Sequence, residues 1–132
     1  MNDSIEVKQL KTLAECKTNI KDIRTYMADL KLLKETIEIK TRFLEQVRMH
    51  RALADINRLL IFEMLLEKGE MCICEFSIAL EKTQPTISHH IQKLEEAGLI
   101  EGIKSGKFIH YRIKKETTEK LFQQLREIIY SI

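Results

Sequence analysis

The stretch from Thr83 to Gly98, TQPTISHHIQKLEEAG, limits what this chain can fold into more than any other. Pro85 fits the first turn of a helix, where its missing N–H is lost without penalty. Thr83 is suited to cap that turn, Gln84 less so. Gly98 can take the left-handed conformation that ends a helix. Between these limits Ile87, Ile91 and Leu94 recur at i, i+4 and i+7 as one apolar stripe. The opposite face carries Thr86, Ser88, His89, His90, Gln92 and Lys93, with no acid before Glu95. Such a face offers donors and acceptors suited to base edges and phosphates. The plainer alternative is an amphipathic helix whose polar face is merely solvated.

The flanking segments favour the nucleic-acid reading. CICEFSIALEK precedes the stretch and reads as a short helix burying Phe76, Ala79 and Leu80. Only a few residues around Thr83 separate the two, the spacing of a helix-turn-helix. LIEGIKSGKFIHYRI follows, two strand-like runs about Ser105-Gly106, which read as a β-hairpin. The fold class expected is therefore mainly α with a small β-hairpin wing: a winged helix-turn-helix with an N-terminal helical arm. On ALADINRLLIFEMLLEKGEMCICEF, QPTISHHIQKLEEAGLI and GKFIHYRI, the chain resembles the ArsR/SmtB family of metal-responsive repressors. The resemblance covers about Ala52 to Ile113. It implies a cytoplasmic homodimer that binds an operator in double-stranded DNA. The hairpin would be the wing, lying along the backbone or minor groove.

Charge distribution agrees where net charge is mute. The 132 residues carry a net charge of only +2. Residues 81–115 hold seven Lys/Arg against four acids, while 51–80 hold three against five. The basic surplus sits on the helix and hairpin expected to meet DNA. Thr86, Ser88 and His89 are the candidates for base or base-adjacent contacts, with Gln84 and His90 beside them. Lys93, Lys104, Lys107 and Arg112 are the candidates for phosphates. Arg58, where the family also carries an arginine, reads first as a solvated surface residue, with a phosphate contact as the second reading.

The expected division is an arm over 1–50 and a winged domain over 51–132. Residues 1–50 contain neither Pro nor Gly, and Ile20, Ile23, Met27, Leu30, Leu33 and Ile37 recur at steps of three and four. This is one long helix or two stacked ones, with a stripe that needs a surface to bury against. Pairing with a second copy through Ile23, Met27 and Leu30 is the expectation, and packing back on its own domain the alternative. Ala52 to Lys68 reads as one core helix closed by Gly69. Glu116 to Ile132 is a last amphipathic helix, with Leu121, Leu125 and Ile128 in one row. The resemblance gives that helix to the dimer interface.

Cys72 and Cys74 form C-x-C in GEMCICEF, where several family members place thiolate ligands. On an ideal helix, residues two apart point about 200° apart, whereas an extended segment puts both on one face. Joint chelation therefore needs the start of this helix to be unwound. Against the arsenic-sensing pattern CVCDLC, Ser77 occupies the third cysteine position. Cys16 on the arm is the remaining thiol, and three thiolates would suit As(III), Cd(II) or Pb(II). Zn(II) would need a fourth ligand. The resemblance's other zinc site finds no match, because the last helix has no histidine. Buried inert thiols and a redox switch remain the alternatives.

No phosphate loop, H-E-x-x-H or spaced Ser/His/Asp set is present, so an enzyme is not expected and no cofactor is required. No run approaches a membrane span. A coiled-coil protein-interaction module is the competing reading from another class.

Overall fold

The computed structural model describes residues 2–40 and 43–131; the side chains of Asn2, Asp3, Gln124, Leu125 and Ile128 fall outside the description. The chain divides into two compact units, residues 1–43 and 44–132.

The first unit holds α1 (Asn2–Cys16) and α2 (Ile23–Lys40). What separates them is Asp22, whose Oδ1 accepts from the backbone N–H groups of Arg24 and Thr25 at 3.1 and 3.2 Å. The Thr25 hydroxyl donates to Asp22 Oδ2 at 2.6 Å. These bonds hold the Asp22 carboxyl below its usual value, the Thr25 hydroxyl contributing most. A side-chain cap thus punctuates a stretch that lacks Pro and Gly. Leu13 of α1 and Met27 and Leu30 of α2 line a shared groove, with Met27 buried.

The second unit runs α3 (Phe43–Leu53, all but its first residue in this unit), α4 (Ile56–Lys68), β1 (Glu70–Met71), α5 (Ile73–Leu80), α6 (Gln84–Glu96), β2 (Ile100–Ser105), β3 (Phe108–Ile113) and α7 (Lys115–Tyr130). The single helix expected over Ala52–Lys68 is broken before Ile56. Asp55, extended at φ −148°, caps α4 by accepting from the Arg58 N–H at 3.1 Å. Arg58 turns back and donates through Nε to the Ala52 carbonyl at 2.6 Å. It is half-buried and ties the end of α3 to the start of α4, so it is not the solvated residue expected. Asp55→Ala should lower stability by about 1 kcal/mol in a urea titration, and Asp55→Asn by much less. The Asp55 carboxyl is held below its usual value mainly by the Arg58 N–H. Its stabilisation is therefore full at neutral pH and fades in acid, as pH falls through that lowered value.

Ile87, Ile91 and Leu94 of α6 are all buried, joining Ile61, Phe62 and Leu65 of α4, Phe76 of α5, and Leu99, Ile100 and Tyr111 in one core. Each such side chain contributes about 1.5–3 kcal/mol of burial. Only part of the apolar face expected on α4 is core: Ile56, Leu59, Leu60 and Leu66 are exposed. On α5, Phe76 is fully buried and Leu80 packs against the core, but Ala79 is exposed.

The sheet has three antiparallel strands in the order β1-β3-β2, where the sequence promised two. The third is β1, two residues that pair Glu70 with Arg112 and Met71 with Tyr111. Ser105 pairs with Phe108, so the hairpin turn is Gly106-Lys107, one residue later than expected. Gly106 has φ +62° and Lys107 does not share that sign, the pattern of a type II′ turn.

Candidate nucleic-acid interface and thiol site

The local chemistry of α6 sets its two ends. The Thr83 hydroxyl accepts from the Thr86 N–H at 3.4 Å, and Pro85 stands in the first turn. At the other end Leu99 N–H donates to the Leu94 carbonyl at 3.1 Å and Gly98 N–H to Glu95 at 2.9 Å. With Gly98 at φ +77° this is a Schellman closure. The turn before α6 is made at Glu81, left-handed at φ 54°, and the Ser77 hydroxyl donates to the Lys82 carbonyl across it. The residue at the third cysteine position is thus employed in holding the turn.

The buried stripe leaves Gln84, Thr86, Ser88, His89 and Lys93 exposed on α6. Lys104 and Lys107 are exposed on the hairpin. Two expected contacts stand apart. His90 is turned inward, its side chain 12 % exposed and Nδ1 3.9 Å from Asp55 Oδ1. It lies between α6 and the cap of α4 and does not share the outward face. Arg112 is exposed, but its Nε donates to Glu101 Oε1 at 2.9 Å across the β2–β3 register, which offsets its charge. Of the neighbouring β3 residues Tyr111 and His110, Tyr111 is buried and His110 half-buried.

Cys72 and Cys74 are both half-buried and free. Cys72 follows β1 directly and caps α5 in an extended conformation (φ −100°, ψ 167°), while Cys74 sits in the first turn. The start of this segment is therefore extended at the first thiol, as chelation requires, and helical at the second. Glu75 Oε1 accepts from the Cys72 N–H at 3.0 Å. That bond and a second from the Cys72 thiol hold the Glu75 carboxyl below its usual value. The two thiols open on a cleft of about 520 Å3 that they share with Gln84, Pro85 and Ser88 of α6 and Lys107, Phe108 and Ile109 of the wing. Cys16 is exposed at the end of α1, in the other unit. Among the described residues no three His, Cys, Asp or Glu side chains gather to hold an ion. Nor is any described helix long and apolar enough to cross a membrane.

Of the residues expected at a dimer interface, Leu121 is 1 % exposed within the chain's own core. Among the described residues of α7, Phe122, Ile129 and Tyr130 are the large apolar side chains that stand exposed. Met27 is buried, Ile23 half-buried and Leu30 exposed in the first unit. Leu125 and Ile128 lie outside the described side chains.

A family model described as "Bacterial regulatory protein, arsR family" matches residues 55–101, from the α4 cap into β2. The chain is 32 % identical over 87 residues to an uncharacterized HTH-type transcriptional regulator of Methanocaldococcus jannaschii, covering 66 % of this chain and 98 % of that one. The chain belongs to the ArsR family. It is 44 % identical over 71 residues to an arsenical resistance operon repressor of Escherichia coli, 54 % of this chain but only 61 % of that protein's length. The homodimeric winged helix-turn-helix DNA-binding domain of a possible ArsR-family regulator from Mycobacterium bovis superposes with a TM-score of 0.55 at 32 % identity. That likeness covers 68 % of this chain and 83 % of that one. This ArsR-family chain has the winged helix-turn-helix fold, with α5 and α6 as its helix pair and β2–β3 as its wing.

Proposed function

We propose that this chain is a homodimeric repressor whose α6 and wing grip an operator in double-stranded DNA, and that a soft ion at Cys72 and Cys74 releases it. One observation carries the reading: the two thiols share a single cleft with the first turn of α6 and the tip of the wing. In such a place a ligand alters the surface that meets DNA. The repressor and arsenical-resistance roles of the Escherichia coli relative, and the homodimer of the Mycobacterium bovis domain, support it. The wing and recognition helix would make the DNA contacts. The arm over residues 1–50 and the exposed apolar groups of α7 would serve pairing of the winged unit over 51–132.

The donor set fits soft thiophilic ions, As(III), Cd(II) or Pb(II), better than Zn(II). Two thiolates come from Cys72 and Cys74, and Cys16 is the candidate third, tested by Cys16→Ser. The deciding experiment titrates reduced protein with arsenite and with Cd(II) while anisotropy follows its binding to a duplex it selects from a random pool. Release by either ion is expected. Tight DNA binding indifferent to both would leave the regulator and remove the sensor.

Contacts should divide by chemistry. Lys107→Ala removes an exposed cation from the wing tip, so it should weaken all duplexes alike and flatten the logarithmic salt dependence by about one unit. His89→Ala should alter sequence preference instead. Uniform loss from both would mean α6 does not read bases.

A further inference from the structure

The Gln84 side chain reaches back from the first turn of α6 to the second thiol, its Nε2 3.7 Å from Cys74 Sγ within hydrogen-bonding range of sulfur. We propose that Gln84 is the residue through which the recognition helix reads the state of the Cys74 sulfur, a positioning role that rests on the proposed DNA-facing use of α6.

The chemistry of both partners makes the link directional. A glutamine amide has two N–H donors and one carbonyl. With one N–H on sulfur, the other N–H and the carbonyl stay free, and that pair is what recognises adenine in the major groove. Gln84 is exposed, and an unanchored side chain of its length must be ordered when DNA arrives. The sulfur therefore acts as a post that orders the amide beforehand. A thiophilic ion takes the sulfur lone pair that accepts the N–H, so the post is lost as the ion binds. Ser88, one turn on, and Lys107 across the cleft line the same space, so the freed amide is released into the DNA-facing side of the molecule. No shift of a whole helix is required for this part of the response. The hydrogen bond spans α5 and α6, so a change at the sulfur is felt directly on the second helix.

The test is a double-mutant cycle on the full-length protein without ligand, reading affinity for a duplex selected by the wild type. Gln84→Ala and Cys74→Ala should each weaken binding about three- to tenfold, the range one net hydrogen bond supports. The double variant should be no weaker than Gln84→Ala alone. Cys74→Ser, whose hydroxyl can accept in place of sulfur, should restore most of the loss, a rescue that loss of packing would not show. Gln84→Met keeps the length and removes the donor, and should match Gln84→Ala while melting at the wild-type temperature. With Cd(II) as probe, the fold-release of Gln84→Ala should be at most a third of wild type, although thiolate-to-cadmium absorbance shows the ion still bound. Multiplicative single effects, an unaltered affinity in Gln84→Ala, or a full Cd(II) response from it would overturn the link. If Cd(II) leaves wild-type DNA binding untouched, the sensor reading fails separately, and the ligand-free cycle still decides the role of Gln84.

Discussion

Phe76→Ala should destabilise the winged unit by about 3–5 kcal/mol, the usual penalty for emptying a buried aromatic site. For a unit of this size that corresponds to a fall in melting temperature on the order of 15–30 °C. Phe76 is 0 % exposed and is the buried anchor of α5, an eight-residue helix. A helix that short has no stability of its own, because nucleation is unfavourable and few residues propagate it. Its position depends on the apolar contact it makes with the core, where Ile87, Ile91 and Leu94 of α6 also meet. Removing the ring therefore frees both the turn at Glu81 and the cap at Cys72, and DNA binding should fall with stability. Ile78→Ala is the control: its side chain is 80 % exposed on the same helix, and the change should stay within about 0.5 kcal/mol. Urea titrations of the two variants make the comparison. Equal, small losses would show that α5 is held by something other than Phe76.

The parts of this fold that could be read from sequence are those governed by local chemistry and one-sided periodicity. Thr83, Pro85 and Gly98 mark both ends of α6 through side-chain capping, fixed φ and positive φ, all properties of single residues. The stripe Ile87, Ile91, Leu94 is buried as its spacing requires. What the sequence did not show depends partly on contacts that cross between elements and partly on local caps. Glu70-Met71 carries no strand signal in two residues; it becomes β1 only because β3 supplies the partner. Asp22 and Asp55 break helices by capping, a signal present in the sequence but hidden inside longer apolar patterns.

The candidate site was legible as a list and not as an arrangement. His90 sits on the polar side of a helical wheel, yet the wheel does not show Asp55 approaching it from another element. Arg112 counts as a cation until the β2–β3 register places Glu101 opposite. Leu121 lies in an apolar row whose inner half belongs to the chain's own core. Gln84 entered as one of five candidates for base contacts, and nothing in its sequence neighbourhood announces Cys74, ten residues earlier.

Replacing both Cys72 and Cys74 by Ser should leave DNA binding in place and abolish its response to arsenite and Cd(II). A ligand changes DNA affinity only by its differential preference for the DNA-competent and incompetent states. Coupling on the usual scale of 1–3 kcal/mol corresponds to about 5- to 150-fold release in the wild type, all of which the double variant should lose. Beside the Gln84–Cys74 bond, the structure supplies two further routes for such coupling. Cys72 stands between β1, paired with β3 of the wing, and α5, whose cap it forms with Glu75. An ion drawing Cys72 and Cys74 together must deform that cap, because the two thiols now sit on extended and helical backbone respectively. Deforming it disturbs the wing strand on one side and the support of α6 on the other. Serine preserves size and hydrogen bonding but is a poor ligand for a soft ion, so basal affinity should stay within a few-fold of wild type. Cys16→Ser should show a smaller defect unless that thiol completes the site, in which case ion affinity falls as well. Should the double serine variant release DNA as the wild type does, the two thiols are inert packing groups and the response originates elsewhere in the chain.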